Sequence, residues 1–266
     1  MKKHLIILPF VALISIVLLI FSVFRLLEGW EDYQKGTNTY EELNDSFVKQ
    51  YGRKGEEEKE KEQSTEEISL PGTLEVDFVG LQEINPDIMG WIEVPGLSLS
   101  YPILQGTDNQ YYLKHLADRS YGISGSIFVD YHNQPDFSGK NTLIYGHNMK
   151  DGSIFATLDQ YAERELYEGE PYFYIYLPGK VLQYQIFSCY AGRVGSEAYY
   201  YEFPYLEDYA SFLHQIQSYA EYDTRVEVRD TDRVVTLSTC TNTNRNYRYL
   251  VHGVLLREWM DYETKE

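Results

Sequence analysis

Short runs rich in aromatic and β-branched residues, each bounded by Gly, Pro, Asn or Asp, fill the chain beyond residue 72. This pattern is typical of β-strands separated by turns. A total of about eight strands suits a closed barrel, so the sequence predicts a mostly β domain over residues 73–266. The predicted strands are 91–94, 101–104, 126–131, 142–147, 172–177, 181–190, 226–229, 234–240 and 247–257.

Helical patterns interrupt these strands at four places, and the last of the four lies in the longest insertion between two strands. The chain has enough length for one domain with a substantial core, because about 190 residues remain once the N-terminal segments are set aside. The predicted helices are 74–84, 109–115, 154–166 and 206–222.

An apolar run over residues 5–27 is long enough to cross a bilayer as a helix. Lys2 and Lys3 precede it and acidic residues follow from Glu28. The positive-inside bias therefore predicts a membrane anchor with residues 1–4 in the cytoplasm and the rest of the chain outside the cell. The alternative is a cleaved signal peptide, but the run exceeds a usual signal core and no small-x-small cleavage site follows it.

Residues 28–72 are highly charged, with the run EEEKEKE at 56–62. Such a segment cannot bury enough apolar surface to fold alone, so we predict an extracellular spacer in which residues 40–51 could form a short helix. The whole chain has 41 acidic and 23 basic residues, a formal charge of −18. Nucleic acid is excluded as a partner, because no basic stripe is present to neutralise phosphates.

Strand alternation places the side chains that could take part in a reaction on shared faces. In the strand 234–240, Ser238 and Cys240 share a face, and Tyr145 shares a face with His147 in another strand. A short polar loop follows Cys240 and can join antiparallel neighbours. Cys240 and Arg248 can therefore lie opposite each other on adjacent strands.

A thiol, an imidazole and a guanidinium are the groups that cysteine acyl transfer requires. Cys240 would attack a peptide carbonyl, and His147 would protonate the leaving amine and later deprotonate the incoming nucleophile. Arg248, which is charged at every relevant pH, would stabilise the oxyanion or hold backbone carbonyls of the substrate.

Each assignment has a structural alternative. Cys189 lies in an apolar run, which favours a small buried hydrophobic side chain. A disulfide between Cys189 and Cys240 is the alternative outside the cell. His147 could be a structural histidine and Arg248 the partner of a carboxylate. His252 is the rival base, but its context predicts the interior of a barrel strand. A zinc site of these cysteines and histidines lacks the usual short ligand spacings, and no cofactor is indicated.

Several ordered motifs resemble those of the sortases, most closely class B, over nearly all of residues 75–258. They are TLSTC at 236–240 with Arg248, IYGHNMKDGS at 144–153, NPDIMGWI at 85–92, YPILQG at 101–106 with DNQYYL at 108–113, and GSIFVD at 125–130.

The resemblance implies an eight-stranded sortase β-barrel with an N-terminal helical extension and a helix in the loop before the penultimate strand. It also implies a membrane-anchored cysteine transpeptidase of mainly Gram-positive bacteria. Such enzymes cut a C-terminal sorting signal after its threonine and pass the acyl group to an amine of a cell-wall precursor or a pilin. By motif position, Cys240 resembles the nucleophile, His147 the general acid and base, and Arg248 the clamp for substrate and oxyanion. The same matching suggests that four residues line the substrate groove, namely Asn109, Leu113, Tyr145 and Ser238.

Two other functions use the same residues differently. A membrane-tethered cysteine endopeptidase would pass the acyl group to water, and a silent binding protein would keep only the barrel. The sorting motif and the acceptor amine are left open by the sequence.

Overall fold

A closed barrel of eight β-strands forms the body of the protein. The computed structural model describes residues 4–50, 73–241 and 244–260. Its helices are α1 (His4–Phe47), α2 (Phe78–Ile84), α3 (Arg164–Gly169) and α4 (Leu206–Ser218). Its strands are β1 (Val48–Gln50), β2 (Leu74–Val76), β3 (Ile88–Val94), β4 (Leu99–Leu104), β5 (Ile127–Val129), β6 (Asn141–Tyr145), β7 (Tyr172–Leu177), β8 (Lys180–Arg193), β9 (Val234–Cys240) and β10 (Tyr247–Met260).

The barrel strands follow the cyclic order β10-β8-β7-β3-β4-β5-β6-β9, closed by the pairing of β9 with β10. β4 with β5 and β6 with β9 are parallel, and the other pairs are antiparallel. The predicted mostly β fold with an eight-stranded barrel is confirmed. Strands β1 and β2 form a separate antiparallel pair that joins the end of α1 to the start of the domain.

Apolar residues alternate along β9 and β10 between two hydrophobic cores. Val235 and Leu237 belong to the large core that fills the barrel, and Val251 of β10 belongs to it as well. Val234 and Leu250 point the other way and pack in a second core with the apolar face of α4. The outer face of β8, β10 and β9 is therefore covered by α4, and both faces of these strands are buried.

His252 lies within strand β10, as its sequence context predicts, and its side chain packs against residues of this outer core. Its ring stacks on Tyr190 at a centroid distance of 5.4 Å and lies 6.0 Å from Phe187. Alternation assigns His252 to the face of Arg248 and Leu250, but it does not show which face looks inward, because here both are buried.

The predicted strand 226–229 is wrong. Residues 226–229 are described and form no strand, although Val226 and Val228 pack against the outer core. The neighbouring strand β9 pairs with β6 on one edge and with β10 on the other, so it has no free edge for a further strand. The other eight predicted strands are present, those at 172–177 and 234–240 with the predicted bounds and the remaining six with shifted ends.

The predicted helices are shorter than their patterns. Residues 74–76 form β2, and α2 begins only after Asp77, whose side chain accepts from the Gly80 amide. The pattern at 109–115 contains a single 3₁₀ turn at Tyr111–Leu113. The pattern at 154–166 contains a 3₁₀ helix at Leu158–Ala162, and α3 starts just after it. The predicted 206–222 corresponds to α4.

Helix α1 is one continuous helix that reaches from the apolar N-terminal run into the charged segment. Its apolar residues over 13–24 are exposed, and by length and composition it is the one described helix that could cross a membrane. Its last turns pack on the barrel, where Tyr40 and Leu43 are buried. This packing was not predicted, because the high charge of residues 28–72 favours exposure to solvent. The remainder of the predicted spacer, 51–72, lies outside the described residues, and the division at 27/28 and 72/73 stays a prediction.

Candidate active site

Cys240 is the last residue of β9, on the outer face of the barrel, at the rim of the layer formed by α4. Its Cα is paired across the ladder with that of Arg248 on β10, so the predicted opposition of these two residues is confirmed. On the far side of β10, Arg248 pairs with Gly192 of β8. Cys240 is a free cysteine. It is partly exposed, because the strand ends here and its side chain lies at the border of the covered face.

His147 is brought to the end of β9 by the parallel pairing of β6 with β9. Tyr145 pairs with Ser238, and the Gly146 amide then donates to Ser238 O at 3.2 Å. One residue beyond His147, the Asn148 side-chain amide donates to Cys240 O at 2.6 Å. His147 is therefore held between two links to the strand that carries the thiol.

A backbone carbonyl orients the imidazole of His147. Its Nε2 lies 2.7 Å from Leu113 O. A carbonyl oxygen only accepts, so Nε2 carries a hydrogen in this geometry, and Nδ1 is the nitrogen that can take up or release a proton. Leu113, which was predicted to line the substrate groove, therefore also contributes its backbone carbonyl, and the residue as a whole is 38% exposed.

Arg248 is anchored by the loop that precedes it. Its Nη1 donates to Arg245 O and to Tyr247 O, both at 2.9 Å. A guanidinium has five N–H groups, so these two bonds occupy both hydrogens of Nη1 and leave three for a bound carbonyl or oxyanion. The loop is closed by Thr241, whose hydroxyl donates to Asn244 O at 2.9 Å.

Two of the predicted groove residues are joined through a carboxylate that was not predicted as a site residue. Tyr145 donates its hydroxyl to Asp130 Oδ2 at 2.9 Å, and the Asn109 amide donates to the same oxygen at 2.7 Å. Burial opposes the charge of Asp130, but hydrogen bonds from His132, Tyr145 and Asn109 outweigh it and lower the pKa of this carboxyl. Burial and the neighbouring carboxylate raise the pKa of Tyr145, so its hydroxyl stays protonated and donates.

Ser238, the fourth predicted groove residue, is buried and contacts Tyr199. The two hydroxyl oxygens lie 3.0 Å apart, and the Tyr199 ring is nearly parallel to that of Tyr145 at 6.4 Å. Asn141 fixes this segment, because its amide donates to Ala198 O at 3.2 Å and to Tyr200 O at 2.8 Å.

Sequence reasoning missed Tyr199, Asp130 and Asn148 as parts of the site. The tyrosine triplet at 199–201 and the position of Asp130 near the end of the predicted strand 126–131 were the available signals. Neither specifies a contact, because both depend on how the insertion containing α4 and the loop after β5 fold back onto the strands.

His252 and Cys189 are buried at positions that disfavour proton transfer and thiol chemistry. Complete burial lowers the pKa of His252 to about 3, so it is neutral at physiological pH. Its Nδ1 bonds to Thr236 Oγ1 at 2.9 Å. Cys189 belongs to the barrel core, where burial raises its pKa, and its thiol is free. Within 4–50, 73–241 and 244–260, no three His, Cys, Asp or Glu side chains are grouped to hold a metal ion.

These positions give a nucleophile at a strand end, a proton carrier beside it and a guanidinium across the ladder with free donors. A carbonyl carbon attacked by Cys240 would develop negative charge on its oxygen, which hydrogen-bond donors of this kind stabilise. The arrangement therefore suits acyl transfer through a thioester.

Comparison with known proteins agrees with acyl transfer by a cysteine. The sequence profile of the sortase domain matches residues 92–256. Sortase B of Listeria monocytogenes is 36% identical over 193 residues, which is 71% of this chain and 77% of that protein. The crystal structure of sortase B from B. anthracis in complex with AAEK1 superposes with a TM-score of 0.69 at 30% identity, covering 86% of this chain and 99% of that one. The Staphylococcus aureus sortase B–substrate complex superposes with a TM-score of 0.64 at 32% identity, covering 68% and 84%.

Proposed function

The chain belongs to the sortase family, class B, and we propose that it cleaves a peptide sorting signal with Cys240 and transfers the acyl fragment to an amine. Sortases are cysteine transpeptidases, and this chain is an enzyme of that kind. The observation that carries the assignment of residues is the pairing of Cys240 with Arg248 at the end of β9, where His147 is also held.

The reaction divides into two acyl transfers. The Cys240 thiolate attacks the carbonyl carbon of the signal's threonine, and the bond to the following residue breaks. His147 donates a proton to the departing amine, which leaves a thioester on Cys240. An acceptor amine then attacks the thioester and gives a proton to His147, and the thiolate leaves. The product is a new amide, and both residues return to their starting states.

Arg248 supports both steps through the three N–H groups that its loop does not use. Its charge is fixed, and its planar fork can meet a carbonyl oxygen as negative charge develops there. Because the guanidinium is already anchored by two backbone carbonyls, little side-chain freedom is lost when the substrate binds.

The substrate groove in this proposal is lined by the four residues predicted for it, together with Tyr199. Asn109 and Tyr145 share the Asp130 carboxylate, and Tyr199 joins the site at Ser238. These contacts hold the polar side chains in place before a peptide arrives, which reduces the entropy lost on binding.

We place the enzyme on the outer surface of the cell. Residues 5–27 serve as the membrane anchor, residues 1–4 lie in the cytoplasm, residues 28–72 act as an extracellular spacer, and residues 73–266 form the catalytic domain. The support is the exposed apolar stretch of α1 and the charge distribution around it. The acyl donor would be a secreted surface protein or pilin, and the acceptor an amine of a cell-wall precursor or a pilin.

A peptide library assay on the full chain in detergent tests this function. The library is incubated with and without an added amine, and products are identified by mass. Transfer to the amine supports the transpeptidase, whereas hydrolysis that the amine does not change supports the endopeptidase. Cys240→Ala must abolish both cleavage and the thioacyl adduct, and Cys189→Ala, the matched control at the other cysteine, must leave them intact. Processing that survives Cys240→Ala refutes the catalytic role of Cys240. If the unmodified chain binds peptides and processes none, the binding protein is supported.

A further inference from the structure

Helix α1 contacts the barrel beside the loop that holds His147. Tyr40 of α1 is buried, and its hydroxyl donates to Gly125 O at 2.5 Å. The same hydroxyl lies 2.9 Å from Ser126 Oγ, which in turn donates to His115 O at 2.8 Å. One side chain of the N-terminal helix therefore fastens the segment that leads from Leu113 to β5.

Gly125 transmits this contact to the carbonyl that orients His147. Gly125 has a positive φ of 55°, and a Cβ placed on it would lie 2.5 Å from Tyr112 O and 2.9 Å from Leu113 O. Its backbone is thus packed directly against the Leu113 carbonyl. Because Leu113 O is the acceptor for His147 Nε2, a movement of Gly125 toward Leu113 would displace the hydrogen-bond partner of the imidazole.

A second set of contacts leads from the same tyrosine to the strand that carries the thiol. The Tyr40 ring meets that of Tyr101 edge to face at 5.2 Å, and Tyr101 accepts a hydrogen bond from the Ile154 amide at 3.3 Å. Ile154 forms a β-bridge with Asn148, whose amide donates to Cys240 O.

We propose that Tyr40 is a positioning residue for His147, through which helix α1 forms part of the framework of the active site. This inference rests on the catalytic role proposed for His147. Residues that hold a reacting group in place affect the rate strongly, because small displacements remove the aligned geometry that the transition state needs. Tyr40 touches neither substrate nor thiol, so its loss should lower kcat and leave substrate binding nearly unchanged.

The first test is Tyr40→Phe in the full chain, which removes the hydroxyl and keeps the ring. We expect kcat for transpeptidation to fall about fivefold while KM changes less than roughly twofold. Tyr209→Phe is the matched control. Tyr209 is an equally buried helical tyrosine whose hydroxyl contacts two carbonyls, Lys140 O at 3.0 Å and Asp232 O at 2.9 Å, at the opposite end of β6 and β9. A loss of stability alone would affect both variants, whereas positioning lowers kcat only in Tyr40→Phe.

The second test moves the helix without changing Tyr40. A Cβ on Gly36 would lie 2.3 Å from Ser124 Oγ, next to Gly125, whereas a Cβ on Gly29 of the same helix would have nothing within 4 Å. Alanine at either position raises helix propensity, so the two variants differ in the contact alone. We expect Gly36→Ala to lower kcat and Gly29→Ala to leave it unchanged.

The inference is overturned if Tyr40→Phe and Gly36→Ala both keep the kcat of the unmodified chain, or if Tyr209→Phe loses as much as Tyr40→Phe. His147→Ala separates this outcome from a failure of the proposed function. Full activity in His147→Ala would refute the role of His147 itself. An inactive His147→Ala beside a fully active Tyr40→Phe would refute only the connection to α1.

Discussion

Replacing Arg248 tests whether the geometry of its guanidinium, and not only its charge, supports the reaction. Two of its five N–H groups are used by Arg245 O and Tyr247 O, which leaves three for the substrate. Loss of a donor aimed at a developing oxyanion costs about 2.7–4 kcal/mol, or roughly 10²–10³ in kcat. We therefore expect Arg248→Ala to lower kcat by this factor.

Arg248→Lys separates charge from shape. An ammonium keeps the positive charge but has three N–H groups, so bonds to both loop carbonyls would leave one for the substrate. We expect this variant to recover part of the lost rate and to remain about tenfold below the unmodified enzyme. Arg245→Lys is the matched control in the same loop, because the bond that Arg245 accepts from Arg248 is made by its backbone carbonyl, which lysine keeps.

The assay is steady-state transpeptidation of the peptide identified by the library, with kcat and KM determined separately. The rate of Cys240 alkylation by a small reagent is measured in parallel, to show that the thiol remains accessible. Arg248→Ala with more than a tenth of the original kcat would refute the oxyanion role. Arg248→Lys with full activity would show that charge alone suffices and that the anchored fork has no part in the rate.

Three further predictions concern side chains that are buried or partly buried and hydrogen-bonded. His252 stays neutral in the fold with a pKa of about 3, so the free energy of unfolding should fall as pH drops below the unfolded value of 6.5, by about 1.4 kcal/mol per pH unit down toward pH 3. His252→Gln should flatten that slope in urea titrations, and an unchanged slope would contradict the assignment. Asn148→Ala removes the bond to Cys240 O and should lower kcat about fivefold, measured with the same peptide. Tyr199→Phe removes the contact with Ser238 and should raise KM about two- to fivefold with kcat unchanged, and the reverse pattern would place Tyr199 in the chemistry.

The sequence is sufficient for those parts of the site that depend on neighbouring segments. Cys240 and Arg248 are separated by one short polar loop, so alternation and an antiparallel turn were enough to predict their pairing. The position of His147 is different. It depends on a parallel pairing between β6 and β9, which are far apart in the chain, and only the motif resemblance associated the histidine with the thiol.

The features that were missed depend on long-range packing. Tyr199 reaches Ser238 because α4 covers the outer face of the barrel and Asn141 holds the segment before it. The buried state of Tyr40 arises within a charged stretch whose composition favours solvent. In both cases a single tyrosine in a polar or charged segment makes a long-range contact, and the local sequence pattern does not distinguish this residue from its neighbours.

The unbroken course of α1 would fix the height of the catalytic domain above the membrane. If residues 5–27 occupy the bilayer as proposed, the helix continues without interruption to the tyrosine that is docked on the barrel. From Leu27 to Tyr40, thirteen residues at about 1.5 Å each correspond to roughly 20 Å along the helix axis. A continuous helix of this kind holds the domain at a nearly constant distance from the membrane, whereas a flexible linker lets that distance vary. The scissile bond and the acceptor amine would both have to be presented in one thin zone above the membrane, and the rigid helix would exclude partners held nearer or farther.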